Sequence, residues 1–422
     1  MDPSRRGFLG VSGLSAALST ITPAAARAAE TSPDATDDPL GVRKDFPAVR
    51  DYTYLNTAYI GLISQPVVDA AHDWIEARAR HTYTVGQMEA KKHEARRLFA
   101  AMVGAGEDEI GFLFSTSEGE NVVVNSLDFK PGDNVVFDDL VYPSTPIIYR
   151  KLQQTRGVEM RVVKNRAGAG TVEDFAKLVD ARTRIVSVAW VSNTSGHCHD
   201  MKGLADLAHA HGAYLYADAV QFIGTAPVDV RALGVDFFTT GTYKWIMAGF
   251  GVAPFYVRSG LMDRIHPANV GWMVEKRLPN YGFEPYQNAR KFEFSSPTYS
   301  EFYDLTAALS YLQRIGLDKV EAQSLALVAQ LRNGLIDQGF RMFTPEGNRS
   351  SILSFYVRKS PKDVQAILDA ERIKVSVHSD EEESPAGATG NPTVKIRVAP
   401  AFFNNASDIN RFLEVSQKLA AA

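Results

Sequence analysis

Between about residues 109 and 257 the chain alternates between short apolar runs and segments with helical periodicity. The apolar runs are rich in Val, Ile and Phe and alternate little with polar residues, which is typical of strands covered on both faces. We predict these strands at residues 110–114, 134–137, 160–163, 184–191, 214–217, 236–239 and 251–257. Helical patterns at 172–179 and 201–211 lie between them. This alternation favours a mostly parallel sheet with crossover helices.

After about residue 300 the pattern changes to long helical segments and isolated short strands. Helices are predicted at 301–315, 318–338, 361–368 and 406–419, and strands at 351–357 and 394–398. We therefore predict an α/β protein with a large, mostly parallel-sheet domain and a smaller α+β C-terminal domain. The large domain is assigned to residues 71–300 and the small domain to residues 301–422. An N-terminal segment at 41–70 is expected to join the small domain.

The N-terminal residues follow the order of features in an export signal. Arg5 and Arg6 form a twin-arginine pair, an apolar stretch of small residues follows, and an A-x-A cleavage site ends at Ala28. We predict a twin-arginine signal peptide at 1–28 and a polar linker at 29–40. The twin-arginine export machinery would then be a partner, and the mature chain would be periplasmic or secreted. A disordered tail or a short amphipathic anchor is the alternative.

Composition narrows the class of protein further. Hydrophobic residues make up 45% of the chain and charged residues 22%, as in ordinary globular proteins. A net charge of −4 without a basic stripe argues against nucleic acid as a partner. Beyond the predicted signal, no apolar run approaches the roughly 18–20 residues that span a bilayer. Cys198 is the one cysteine, so the chain forms no internal disulfide.

Two residues follow predicted strands at the edge where open α/β sheets bind ligands. Asp218 comes after the strand at 214–217 and could also cap a following helix. Lys244 comes after the strand at 236–239, where burial would lower its pKa and leave the neutral amine that a nucleophile requires. A single lysine is a weak signal, because most lysines lie on the surface.

The motifs around these residues resemble class V of the aminotransferase superfamily, which are fold type I enzymes of pyridoxal 5'-phosphate (PLP). The motifs are Asp218-x-x-Gln221 and Tyr243-Lys244-Trp245, and the resemblance runs from about residue 54 to 413. Members include cysteine desulfurases, kynureninases, isopenicillin N epimerase-like proteins and C–S lyases. The resemblance implies that Lys244 holds PLP as a Schiff base and that Asp218 keeps its ring nitrogen protonated.

The resemblance implies further cofactor ligands. Thr116 and Ser117 would bind the phosphate at a helix N-terminus, although the same residues could be a simple capping box. Tyr142 would stack on the pyridine ring, or be a turn residue before a proline. The remaining ligands are Asn193 and Gln221, near the phenolic oxygen, and Tyr243, beside the lysine.

Two segments resemble parts of the family that reach a neighbouring subunit. Residues 292–298 resemble an E-x-G-T-P segment, with Ser296 at the threonine position and Ser295 in place of the glycine. Trp272 resembles a kynureninase-like tryptophan that approaches the phosphate, with packing at a subunit interface as the alternative. Both assignments imply a homodimer.

The C-terminal motif Ile396-Arg397-Val398 resembles the family's substrate-binding signature. Arg397 would bind the α-carboxylate of an amino acid in a bidentate pair, with help from Asn56. A structural salt bridge is the alternative for Arg397. The resemblance therefore implies a small-molecule amino-acid substrate.

The single thiol bears on the reaction. A cysteine desulfurase needs a nucleophilic cysteine on a C-terminal loop, and the predicted loop at 380–391 has none. Cys198 lies between His197 and His199, a spacing that favours a helix N-terminal turn over a metal site, so no metal is expected. We expect lyase, epimerase or transaminase chemistry from an external aldimine, in metabolite tailoring. The alternatives are a kynureninase-like hydrolase, a C–S lyase, or a non-catalytic PLP-fold binding or scaffold protein.

Overall fold

The computed structural model describes residues 38–379 and 394–420. The predicted export signal, most of the predicted linker and the predicted loop at 380–391 lie outside these residues. Within them, no helix combines the length and the apolar character that crossing a membrane requires. The domain boundaries given above stay predictions.

The N-terminal part of the described chain connects to its C-terminal part. After two 3₁₀ turns, strand β1 (Thr53–Tyr54) pairs in parallel with residues Ile373–Lys374. Two long helices follow that the hydrophobic pattern had not indicated, α1 (Gln65–Arg80) and α2 (Val85–Val103). A capping box at Thr84 begins α2, in which the hydroxyl and the side chain of the third helical residue satisfy free backbone N–H groups.

Seven strands form the large sheet of the described chain: β2 (Ile110–Leu113), β3 (Asn134–Asp138), β4 (Glu159–Val163), β5 (Thr183–Ala189), β6 (Tyr214–Asp218), β7 (Phe237–Thr239) and β8 (Ala253–Val257). Their spatial order is β2-β8-β7-β6-β5-β3-β4. Neighbouring strands are parallel except that β8 runs antiparallel to β2 and β7. The predicted strands are present with small shifts at their ends, and the mostly parallel sheet is confirmed.

Helices connect these strands, as the alternating pattern had indicated. They are α3 (Thr116–Ser126), α4 (Ser144–Arg156), α5 (Val172–Ala176), α6 (Met201–Ala210) and α7 (Val230–Leu233). The predicted helix at 172–179 ends earlier, at Ala176. A short hairpin of β9 (Lys276–Arg277) and β10 (Phe283–Glu284) follows the large sheet.

The C-terminal part is a mixture of helices and a small antiparallel sheet. Its elements are α8 (Glu301–Ile315), α9 (Leu317–Asp337), β11 (Leu353–Val357), α10 (Pro361–Ala370), β12 (Ile373–Lys374), β13 (Ser376–Ser379), β14 (Val394–Val398) and α11 (Ala406–Ala420). The sheet has the order β11-β14-β13. The predicted α+β arrangement is confirmed, although β12 and β13 were not predicted.

Successive residues of one central strand pack into different hydrophobic cores. Val135 lies in a cluster on one face of the large sheet, whereas Val136 lies in a larger cluster on the other face. Burial of both faces explains why the strands are apolar runs without polar alternation. A third cluster around Phe355 and Ile396 fills the C-terminal part.

Candidate active site

The carboxyl ends of β2, β6 and β7 meet at one edge of the large sheet and border a cavity of about 290 Å³. Parallel strands put their carboxyl ends on the same side, so residues distant in sequence meet there. Six predicted site residues line the cavity: Thr116, Ser117, Tyr142, Asp218, Tyr243 and Lys244.

Lys244 provides a buried amine at this cavity. Burial lowers the pKa of its ammonium to about 8, an effect that the charge of Asp218 opposes and that of Arg397 increases. The lysine backbone is held by Gly61, whose N–H donates to the Tyr243 carbonyl oxygen at 2.9 Å. A Cβ at Gly61 would lie 2.0 Å from the Lys244 carbonyl oxygen, so glycine is required there. A lysine with this pKa is partly neutral near pH 7 and can act as nucleophile and base.

Asp218 faces the same cavity from the end of β6. Burial raises the pKa of its carboxyl group, and the positive charge of Lys244 opposes that shift. One carboxylate oxygen accepts the N–H of Val220 at 3.0 Å, so the side chain caps a turn, and no α-helix of the described chain begins there. A carboxylate in this setting favours a cationic partner, such as a protonated ring nitrogen.

The N-terminus of α3 forms another wall of the cavity. Ser115 is its N-cap and accepts the N–H of Glu118 at 3.2 Å. Thr116 and Ser117 are the first helical residues, where backbone N–H groups have no partner within the helix and attract anions. Gly119 lets the helix approach β7, because a Cβ there would lie 1.8 Å from the Thr239 hydroxyl oxygen. Capping and a predicted phosphate site are therefore compatible.

Aromatic side chains flank the opening of the cavity. The ring of Tyr243 stacks on Phe250 with centroids 4.2 Å apart, and the Lys244 ammonium lies 5.6 Å from the Tyr243 centroid. Tyr142, just before α4, is 48% exposed. This exposure leaves space for a flat ring to pack against Tyr142, so the structure is compatible with its predicted stacking role.

Arg397 forms a second polar cluster, on β14. It is 4% exposed, and its guanidinium donates to the Asn193 carbonyl oxygen at 3.0 Å and to the Ser376 hydroxyl at 2.8 Å. Ser376 in turn donates to the Asn56 side-chain oxygen at 2.8 Å, so three predicted site residues meet here. The Arg397 Nε and the Asn193 side-chain oxygen are buried without a partner in the described chain.

Within the part of the chain that the structure describes, the charge of Arg397 has no anionic partner. Burial lowers the pKa of its guanidinium to about 10, and Tyr54 opposes that shift. No carboxylate of residues 38–379 or 394–420 forms an ion pair with Arg397, so the salt bridge that was the alternative is not seen in that part of the chain. The charge of Arg397 lowers the pKa of Lys244, so the two cations are close enough to interact.

Four predicted cofactor ligands do not line this cavity. One of them is Asn193, which lies in the cluster around Arg397. The side-chain amide of Gln221 is buried, donates to the Ala58 carbonyl oxygen at 2.9 Å and accepts the Trp245 indole N–H at 2.8 Å. Ser296 is exposed and lines an adjacent cavity of about 150 Å³. Trp272 is 43% exposed and lines neither of these two cavities. All four assignments stay predictions.

The segment around the single cysteine has a structural arrangement. Asp200 is the N-cap of α6 and accepts the Gly203 N–H at 2.9 Å, as the sequence had indicated. His199 is buried with Asp138, and its Nε2 lies 2.7 Å from the carboxylate. Burial raises the pKa of the Cys198 thiol to about 11. The described residues contain no cluster of three potential metal ligands.

Sequence reasoning missed two residues that shape the site. Gly61 lies in a loop with no motif, and its contact with the Lys244 backbone arises only from the tertiary fold. Ser376 belongs to a short, half-buried strand, so its segment carries no strong hydrophobic signal.

Comparison with known proteins identifies the family. The family model Aminotransferase class-V matches residues 53–412. The chain belongs to this family. A probable cysteine desulfurase of Methanothermobacter thermautotrophicus is 31% identical over 339 residues, which are 78% of this chain and 84% of that protein. The apo structure of a cysteine desulfurase from Thermococcus onnurineus is similar with a TM-score of 0.81 and 27% identity, over 90% of this chain and 98% of that one.

A more distant structure agrees in fold. A cystine C–S lyase in complex with its reaction product, cysteine persulfide, is similar with a TM-score of 0.81 and 18% identity, over 89% of this chain and 100% of that one. This identity is low enough that the likeness concerns the fold alone. The class V chain therefore has the fold type I architecture that its motifs had indicated.

The class V enzymes are PLP-dependent, and the cavity of this chain fits that cofactor. Lys244 offers an amine with a lowered pKa, and Asp218 offers a half-buried carboxylate for the ring nitrogen. The N-terminus of α3 offers free N–H groups and two hydroxyls for the phosphate. The chain is therefore a PLP-dependent enzyme of this family.

Proposed function

We propose that this class V enzyme acts on an α-amino acid whose carboxylate pairs with Arg397 and whose Cα proton is moved by Lys244. The observation that carries the proposal is the buried guanidinium of Arg397, which has no anionic partner in the described chain. A buried charge without a partner is costly, and a substrate carboxylate would supply the missing anion in a bidentate pair.

The other residues of the cavity have distinct proposed tasks. When bound, PLP supplies an electron sink for the bond that breaks at Cα. Thr116 and Ser117 hold its phosphate, Asp218 keeps its ring nitrogen protonated and Tyr142 stacks on its ring. Lys244, with a pKa of about 8, both takes and returns a proton near neutral pH.

The proposed reaction uses no thiol of the protein. The relatives named as cysteine desulfurases favour C–S bond chemistry, but Cys198 is the only cysteine of this sequence. Its thiol has a pKa of about 11 and does not line the cavity that contains Lys244. A protonated thiol is a poor nucleophile. We therefore propose lyase, epimerase or transaminase chemistry, which includes C–S lyase reactions without a cysteine nucleophile.

The proposal is tested by absorbance spectroscopy of the purified enzyme with a panel of α-amino acids and their decarboxylated amines. Amino acids should change the cofactor's visible spectrum at lower concentrations than the matching amines, because only the former have the carboxylate for Arg397. Equal responses to both sets would contradict the proposed substrate class. Product analysis then separates elimination, racemisation and transamination.

We also propose that the enzyme is a homodimer in which Ser296 and Trp272 reach the neighbouring subunit's cofactor. Both residues are exposed, and neither lines the cavity that contains Lys244 in its own chain, which supports this proposal. Mixing the variants Lys244→Ala and Ser296→Trp should restore activity, up to about a quarter of wild type, because half of the exchanged dimers have one intact site of two. Fully active monomers in solution would contradict the dimer.

Export by the twin-arginine route is a further proposal, supported by Arg5, Arg6 and the A-x-A motif ending at Ala28. Cell fractionation should find the wild-type chain in the periplasm or medium. The variant with Lys at both arginine positions should stay in the cytoplasm. An unchanged distribution would contradict this route.

A further inference from the structure

Behind Asp218, a second carboxyl group is buried without a cation. Glu120 lies in α3 and is 2% exposed. One of its oxygens accepts the Ser187 hydroxyl at 2.7 Å, and the other accepts the Thr145 hydroxyl at 2.7 Å. No lysine or arginine of the described residues forms an ion pair with it. Only hydroxyl groups therefore satisfy this carboxyl group, in the helix whose N-terminus borders the cavity.

The two hydroxyl donors belong to elements that carry predicted cofactor ligands. Thr145 is in the first turn of α4, and its N–H donates to the Tyr142 carbonyl oxygen at 3.0 Å. Ser187 is in β5, which pairs with β6 so that Ala189 lies opposite Asp218. The Glu120 carboxyl thus links α3 to the segment with Tyr142 and to the strand beside Asp218.

We propose that Glu120 is a positioning residue of this active site, which fixes α3, α4 and β5 around the cavity and changes the negative charge behind Asp218 when it gains or loses its proton. The proposal concerns the same cavity as the proposed function and rests on PLP binding there. It does not depend on which amino acid is the substrate.

The charges around Glu120 support a change of protonation near neutral pH. Burial raises the pKa of its carboxyl group to about 7, the hydroxyls of Ser187 and Thr145 oppose this, and the charge of Asp218 adds to it. The other titratable groups that face it are Tyr149 of α4 and Tyr216 of β6.

The direction of the effect on the cofactor follows from the sign of the charge. Below the pKa of Glu120 its carboxyl group is neutral, and Asp218 acts on the ring nitrogen without a second negative charge from Glu120. Above that pKa the extra negative charge favours the protonated ring. The absorbance of the bound cofactor should therefore change as Glu120 titrates, although Glu120 does not contact the cofactor.

Infrared spectroscopy of the holoenzyme tests the titration directly. A protonated-carboxyl component should disappear as the pH is raised from about 5 to about 9, with a midpoint near 7, and Glu120→Gln should lack this component. The carboxyl group of Asp304, whose pKa burial raises to about 6, gives a separate component that both proteins should keep. Thr145→Val removes a hydrogen bond to the ionised form, so it should raise the midpoint by about one pH unit. The matched control is Glu109→Gln, a buried glutamate that pairs with Arg231 outside the cavity, and it should keep the transition.

The visible absorbance of the holoenzyme gives the second measurement. Wild type should show a pH-dependent change with the same midpoint as the infrared band, and Glu120→Gln should not. If Glu120→Gln fails to fold, Thr145→Val must move both midpoints upward together. An infrared component with its midpoint near 7 that survives in Glu120→Gln, an absorbance step unchanged in that variant, or midpoints unmoved by Thr145→Val would each overturn the proposal. Failure of the proposed function would differ, since it appears as equal responses to amino acids and amines in wild type.

Discussion

At the carboxyl edge of the large sheet, the buried ammonium of Lys244 has the carboxylate of Asp218 near it. On β14, by contrast, the buried guanidinium of Arg397 has only neutral hydrogen-bond partners among the described residues. In the first region, the charges of Lys244 and Asp218 act on each other before any ligand binds, although the two groups form no direct ion pair among the described residues. The second leaves Nε of Arg397 without a partner in the described chain. The difference suggests a division of tasks, in which one region is prepared for the cofactor and the other for an anionic substrate.

Removing the amine of the first region should have the largest effect. Lys244→Ala should reduce turnover by about 10³-fold or more, because a positioned acid–base group contributes 10²–10⁴-fold and the attachment point of the cofactor is lost as well. Reduction with borohydride, followed by peptide mapping, should label Lys244 in wild type. A label on another lysine would contradict the role given to this region.

Changing the second region should affect the substrate and spare the cofactor. Arg397→Ala should raise KM for the amino acid by about two orders of magnitude or more, since losing one member of a buried charged pair costs about 2–5 kcal/mol. Arg397→Lys should restore part of the loss, because it keeps the charge without the fork. Steady-state kinetics measure both variants. Loss of the cofactor's spectrum in either variant would contradict the division between the regions.

The interaction between the regions should appear in the pH dependence of cofactor attachment. Below about pH 8 most of the Lys244 side chain is protonated, so the rate at which PLP attaches to the cofactor-free protein should rise with pH and level off above that value. Arg397→Gln removes a charge that lowers the pKa of Lys244, so the plateau should move to higher pH. Stopped-flow absorbance measures both curves, and identical curves would indicate that the two regions act independently.

The smallest effect is expected from the thiol, which belongs to neither region. Cys198→Ser should change kcat and KM by less than about twofold, because the half-buried thiol has a pKa of about 11 and is not proposed to be a nucleophile. The same assays with an amino acid substrate test this expectation. A large loss of activity in a folded variant would contradict this expectation and would favour a mechanism that depends on the cysteine.

The sequence could predict the first region better than the second because its signals are local. Asp218 and Lys244 each follow a strand that is an apolar run, and the ends of such strands are where ligands bind. The direction of β8 was not predictable, since hydrophobicity alone does not distinguish parallel from antiparallel neighbours. The helix α2 also went unnoticed, although it is long.

In the second region, sequence reasoning found Arg397 but not its surroundings. The strand β14 was predicted with its observed bounds, yet the partner Ser376 lies on a short strand with half-buried residues and no clear pattern. Gln221 illustrates the opposite case. Its motif was visible, but the orientation of its amide is set by the Ala58 carbonyl and the Trp245 indole, which only the folded chain brings together.

The close approach of Gly61 to the Lys244 backbone means that the segment from Leu55 to Gly61 connects the two regions of the active site. The segment is attached at one end to the C-terminal part, since Leu55 accepts the Ala399 N–H at 2.7 Å, and at the other end to the Tyr243 carbonyl. The short turn at residues 56–60 thus helps to set the separation of the ammonium and the guanidinium. Lengthening this turn would change the distance between the two cations, and with it the size of substrate that fits between them.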